Sequence, residues 1–186
     1  MKIIGIVASP RKGGNTETLV SIALEEVQKE GVETELISLA GKDIKPCDAC
    51  GACRTTGKCT VQDDFEGIYK KMLDAEGFIL ATPVYFGAAT PQMAALISRC
   101  YVRGSNRPFE NKVGGPIVVA RRAGQNFTYA QLMFFYMISG MIVPGSTYWN
   151  IAFAREKGEA TQDEEGVRTI RNFGKKLGWL AKKVNA

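Results

Sequence analysis

The chain of 186 residues has the size of one domain, and its 45% hydrophobic and 23% charged residues describe an ordinary globular protein without low-complexity tracts. It contains no histidine, which excludes Ser-His-Asp and Cys-His catalysis, histidine-bound zinc and histidine-ligated haem. Its net charge of +5 is scattered, with no basic stripe among aromatics and no apolar run approaching a membrane span, so contact with neither nucleic acid nor membrane is expected.

Residues 2–8 (KIIGIVA) are rich in β-branched side chains and stop at Ser9-Pro10, as a buried parallel strand does. Asn15 is placed to cap a helix that has Glu17 in its first turn and Val20, Ala23, Leu24 and Val27 at helical spacing, until Gly31 ends it. Residues 32–39 alternate as a second strand nearer the sheet edge. Residues 40–63 follow neither period and hold four of the five cysteines. Helices are then predicted at 64–75, 91–102 and 127–139, with strands at 77–82 and 113–120 and a fifth opening at 141–143. A last helix is predicted from 163 to 184, with Val167, Ile170, Phe173, Leu177 and Val184 on one face. This alternation predicts a doubly wound α/β fold with a five-stranded parallel sheet, one domain over 1–186, with a cysteine loop at 41–63.

Directly after the first strand comes SPRKGGNT (9–16), leading into a helix. Backbone N–H groups at a helix N-terminus attract an anion, and glycine at 13 and 14 allows close approach. Ser9, Asn15 and Thr16 offer neutral donors, while Arg11 and Lys12 add charge. Neither GxxxxGK[ST] nor GxGxxG occurs, which removes the two commonest nucleotide loops. An ordinary polar turn is the alternative. After the third strand, Pro83-Val84-Tyr85-Phe86-Gly87 suits a flat ring with polar edges, or else a pair of core aromatics at a turn. After the fourth, Arg121 to Gln125 can contact a ring edge, or stand as a solvated turn. In a sheet of order 2-1-3-4-5 these three loops border one crevice at the topological switch point, a rule for which flavodoxin is itself a standard example.

The SPRKGGNT loop and the PVYFGAATPQM segment resemble the flavodoxin-like FMN reductases, whose phosphate loop follows Ser-x-Arg-x-x-Gly-Asn-Thr. The resemblance implies a flavodoxin-like sheet of order 2-1-3-4-5. It implies FMN phosphate at Ser9, Arg11, Lys12, Gly14, Asn15 and Thr16. The isoalloxazine would lie against Pro83, Val84, Tyr85, Phe86 and Gly87, and beside Arg121, Gly124 and Gln125.

Cys47, Cys50, Cys53 and Cys59 form C-x2-C-x2-C-x5-C, with the small Ala49, Gly51 and Ala52 among the first three. In a reducing cytoplasm such a set reads as metal binding rather than disulfides. Structural zinc sites usually separate two C-x-x-C pairs, and three cysteines within seven residues fit an iron–sulfur cubane better; zinc and buried free thiols are the other readings. Cys100 reads as core. Joined to the FMN loops, the motif resembles the iron–sulfur flavoproteins, which implies a [4Fe-4S] cluster on these four cysteines. Where relatives often carry paired glycines before the glutamine, this chain has Ala123-Gly124-Gln125.

The implied function is electron transfer between a low-potential donor, such as ferredoxin or NAD(P)H, and an acceptor, with no catalytic acid or base required. An NAD(P)H-dependent FMN or quinone reductase with a structural metal site, and a non-enzymatic redox sensor, are the alternatives. The cysteine segment follows strand two, so cluster and flavin sites are expected to begin one or two strand spacings of about 4.8 Å apart. The nearly all-apolar stretch 127–141 is expected at a subunit interface of a homodimer or homotetramer.

Overall fold

The computed structural model describes residues 1–103 and 107–185. The strands are β1 (Lys2–Val7), β2 (Glu33–Ser38), β3 (Gly77–Pro83), β4 (Val113–Ala120) and β5 (Ile151–Phe153). They form one parallel sheet in the order β2-β1-β3-β4-β5, the order implied by the resemblance. The helices are α1 (Asn15–Lys29), α2 (Ala52–Thr56), α3 (Phe65–Asp74), α4 (Pro91–Arg103), α5 (Gln125–Ile138) and α6 (Glu164–Val184), with a 3-10 turn at Glu159–Gln162.

The period-two alternation of β1 divides two cores. Ile3 and Val7 meet Leu19, Val20, Phe173 and Leu177 beneath α1 and α6. Ile4 and Ile6 point the other way, into Phe65, Met72, Leu96 and Tyr136 beneath α3, α4 and α5. Helices α1 and α6 approach closely because residue 174 is glycine: a Cβ there would lie 2.3 Å from the Ala23 carbonyl oxygen. Among the described residues no helix is long and apolar enough to cross a membrane.

Three expectations are corrected. The fifth strand is not at 141–143, where Ile142 makes only an isolated bridge to Val113; Pro144, which has no N–H, follows at once. The strand instead forms at Ile151–Phe153, against the last three residues of β4. Asn15 does not cap α1: Gly14 is the N-cap, and Asn15 is the first helical residue. The buried face of α6 ends at Ala181, and Val184 is exposed.

Candidate functional site

The carboxyl ends of the strands share one edge, and the switch point falls between β1 and β3. There the loops after β1, β3, β4 and β5 border a cleft of about 400 Å³. Of the predicted residues, Ser9, Arg11, Asn15, Thr16, Pro83, Val84, Tyr85 and Arg121 line it. Lys12, Gly14, Phe86, Gly87, Gly124 and Gln125 lie outside its lining, as backbone supports or neighbouring surface.

The loop after β1, residues 9–14, is held open by its own backbone. The Arg11 amide donates to Ser9 Oγ at 3.2 Å, the Gly14 amide to the Arg11 carbonyl at 3.3 Å, and Gly13 takes φ +61°. A Cβ on Gly14 would sit 3.0 Å from the Arg11 carbonyl oxygen and 3.7 Å from Ser9 Oγ. The hollow beside Ser9 is therefore open because residue 14 has no side chain. The first amides of α1 head the helix beside it, without intrahelical acceptors. Such a hollow, with positive helix dipole and the Arg11 cation at its rim, fits a phosphate monoester.

The Asn15 side chain is engaged elsewhere. Its Nδ2 donates to the Glu156 carbonyl at 2.7 Å, and its Oδ1 accepts from the amides of Gly158 (2.9 Å) and Ala160 (3.3 Å). This ties the start of α1 to the turn after β5, which lines the cleft through Ala154, Arg155 and Glu156. Sequence reasoning missed that turn because it placed the fifth strand ten residues too early. The Glu159 carboxylate accepts the amides of Glu156 and Arg155, which hold it below its usual range and stiffen the same turn.

On the ring side, Tyr85 and Ala88 exchange backbone hydrogen bonds of 2.8 and 2.9 Å, with Phe86 and Gly87 at positive φ (51° and 74°) at the corner. Phe86 is fully exposed there and Tyr85 is 44% exposed. Gly124 lets the β4 loop close onto this corner, since a Cβ on it would lie 2.9 Å from Gly87 Cα. Two buried threonines fix the loop after β3 to the end of β1. The Thr90 amide donates to Thr82 Oγ1 (3.1 Å), and the Thr90 hydroxyl donates to the Ala8 carbonyl (2.9 Å). Gln125 Oε1 is buried without a hydrogen-bond partner among the described residues.

The four cysteines are free thiols: Cys50 is exposed, and Cys47, Cys53 and Cys59 are partly buried. Among the described residues no three His, Cys, Asp or Glu side chains lie together as a metal-holding group. The donor chemistry nevertheless fits a thiolate-ligated cluster. Four unpaired thiols share one segment, whose single helical turn, α2, carries Cys53 between Gly51 (φ +75°) and Gly57 (φ +69°). Metal binding is coupled to ordering of the chain, so the bonds to the metal can supply the free energy that gathers such ligands.

One of the four is already anchored. Arg99 of α4 donates to Cys59 Sγ at 3.1 Å, pairs with Asp63 and donates to the Lys45 carbonyl at 3.2 Å. Its guanidinium carbon lies 4.0 Å from the centre of the Phe65 ring. Burial is the largest single influence and opposes charge on both partners, but the opposing interactions together exceed it. The Arg99 hydrogen bond, together with those from the Lys45 and Phe65 amides, holds Asp63 below the usual carboxylate range, and Asp63 with Cys59 holds Arg99 above its own. Arg99 stands eight residues along α4, about 12 Å from the head of that helix at 1.5 Å per residue. The stretch leading into the cysteines thus packs along α4, with Lys42 to Pro46 beside Pro91 to Ser98 and the Lys45 carbonyl on Arg99. Cys100 is buried, its sulfur 3.9 Å from that of Met72.

A family described as NADPH-dependent FMN reductase matches residues 1–156. An iron–sulfur flavoprotein of Methanocaldococcus jannaschii is 41% identical over 191 aligned positions, covering 99% of both chains. An iron–sulfur flavoprotein of Methanosarcina thermophila is 39% identical over 95% of this chain and 93% of its own. Among solved structures, RosB with bound 8-demethyl-8-formylriboflavin-5′-phosphate superposes with a TM-score of 0.80 at 20% identity, over 100% of this chain and 80% of its own. A flavodoxin from the domain Archaea superposes with a TM-score of 0.63 at 13% identity, over 100% of both chains.

Proposed function

The chain belongs to the NADPH-dependent FMN reductase family, among its iron–sulfur flavoproteins, and from that premise we propose that it passes electrons between a low-potential donor and an acceptor through FMN and a [4Fe-4S] cluster. It is an FMN-dependent oxidoreductase of flavodoxin-like fold. The observation that carries the finer reading is the presence, on one chain, of a switch-point cleft with an open phosphate hollow and of four free thiols between residues 47 and 59.

When bound, FMN exchanges one or two electrons and a cluster one, so together they convert paired into single electrons. The protein supplies position and electrostatics. Ser9, Thr16 and the amides heading α1 would hold the phosphate, with Arg11 offsetting its charge. Pro83, Val84 and Tyr85 would wall the ring, and Arg121 would give its edge a cation. Cys47, Cys50, Cys53 and Cys59 would ligate the cluster.

The donor in this reading is ferredoxin-like or NAD(P)H, and the setting is the reducing cytoplasm. Helix α5 is the proposed contact of a homodimer or homotetramer, because Phe127, Phe134 and Met137 are 77%, 68% and 69% exposed while Leu132, Phe135 and Tyr136 fill the core. An NAD(P)H-dependent FMN or quinone reductase with a structural metal site is the second reading, favoured by the match of the NADPH-dependent FMN reductase family over residues 1–156. Anaerobic purification with FMN, iron and sulfide assays separates the two. About four irons and four sulfides per FMN, reduced by a low-potential ferredoxin, support the first. A yellow protein without iron, bleached directly by NADPH, supports the second.

A further inference from the structure

We propose that Arg99 is a positioning residue for the cluster: its buried guanidinium fixes the Cys59 sulfur and raises the reduction potential of the iron–sulfur centre that Cys59 ligates. The inference rests on the cluster assignment above and names a determinant outside the cysteine string. Arg99 lies 40 residues beyond Cys59, on α4, with its side chain 2% exposed.

The guanidinium is locked from several directions. Asp63, whose side chain is fully buried, pairs with it and is itself fixed by the amides of Lys45 (2.8 Å) and Phe65 (3.1 Å). The Lys45 carbonyl accepts from the same terminal nitrogen that meets Asp63, and the Phe65 ring covers one face of the guanidinium. An ion pair that served the fold alone would be complete with Asp63. Here the second terminal nitrogen is spent on a thiol, and Nε is buried with no hydrogen-bond partner among the described residues. A buried, incompletely satisfied cation beside a thiol is matched by an anionic centre that forms there, since four thiolates around iron and sulfide carry net negative charge.

Among the described residues, no hydrogen bond from outside the cysteine segment reaches the sulfurs of Cys47 and Cys50. Cys47 Sγ accepts the Ala49 amide at 3.4 Å, and Cys50 Sγ lies 3.4 Å from Thr60 Oγ1; both partners belong to the cysteine segment itself. Cys59 is therefore the ligand whose place is set by the body of the fold, and Arg99 sets it. A charged N–H donor on a ligating sulfur stabilises the more negative, reduced state, so it raises the potential. Lysine cannot replace the fork, because one ammonium does not span Asp63, the Lys45 carbonyl and Cys59 in fixed geometry.

The test compares the anaerobically reconstituted wild type with Arg99→Lys and with the double variant Arg99→Gln, Asp63→Asn, which removes both buried charges together. In redox titrations followed by EPR, the cluster midpoint is expected to fall from wild type to Arg99→Lys to the double variant, while the FMN midpoint stays in place. Iron loss to a chelator is expected to rise roughly ten- to hundredfold, the range for lost outer-shell support of a metal ligand. Variants that keep iron at the wild-type rate and the wild-type cluster midpoint overturn the role of Arg99. Wild-type protein that assembles no iron overturns the cluster assignment itself, a result seen before any variant is measured. Should the double variant lose FMN and fold, Arg99→Lys decides alone: an unchanged midpoint and chelation rate refute the proposal.

Discussion

Replacing Gly14 by alanine probes the phosphate hollow with a single methyl group. Gly14 has φ −86° and ψ 177°, a backbone that alanine adopts freely, so the substitution carries no conformational strain. The new Cβ would lie 3.0 Å from the Arg11 carbonyl oxygen and 3.2 Å from Arg11 Cβ, contacts relieved by a shift of a few tenths of an ångström in an exposed loop. Reduced freedom of the unfolded chain offsets part of that cost, by about 0.4–1 kcal/mol. Stability should therefore change by less than about 1 kcal/mol. The methyl occupies space beside Ser9 Oγ, however, where a phosphate oxygen is to accept its hydrogen bonds. Losing one or two of these, at about 1–3 kcal/mol in total, weakens FMN binding roughly 5- to 150-fold. Flavin fluorescence quenching titrations of the apoprotein measure the dissociation constant, and urea melts measure the fold. An unchanged FMN affinity in a normally folded Gly14→Ala protein would refute phosphate binding at this loop.

Further expectations follow from the cysteine segment and the exposed helix. Cys53→Ser should abolish stable iron incorporation while FMN content is retained and apoprotein stability changes by less than about 1 kcal/mol, because residue 53 lies in a one-turn helix with no buried side chains; iron and flavin analysis with a urea melt checks this. Asp63 has a depressed folded-state pKa, so its contribution is present above the unfolded value near 3.9 and lost as pH falls through the folded one. Asp63→Asn should cost about 3–5 kcal/mol near pH 6, by stranding buried Arg99, and the gap to wild type should narrow below about pH 4; urea melts across pH that show a constant gap contradict the ion-pair account. Phe134→Lys should shift sedimentation toward monomer with little change in apoprotein stability, since that side chain is exposed in the isolated chain.

Where side chains carry a periodic signal, the sequence was a sufficient guide. β1, β3 and β4 are buried on both faces and read as unbroken apolar runs, and the loops that follow them carry the glycines and polar residues that shape the cleft. β5 carried no such signal. It has three residues, and its pairing depends on the edge of β4 opposite β3 rather than on its own composition. The apolar trio at 141–143 mimicked a strand while forming only one bridge. Asn15 was legible as important but not in its role, because its partners at 156–160 lie some 140 residues away. Arg99 left one trace: a charged residue next to buried Leu96 and Cys100 in an otherwise apolar helical pattern, which signals a buried partner without naming it.

Diffraction from anaerobically grown crystals, recorded above and below the iron absorption edge, addresses the central claim most directly. The account predicts one compact anomalous peak enclosed by Cys47, Cys50, Cys53 and Cys59, with the Arg99 guanidinium against Cys59, and FMN in the cleft bordered by Ser9 and Tyr85. A map from iron-replete protein with flavin in that cleft, but with no iron between these four sulfurs, would contradict it.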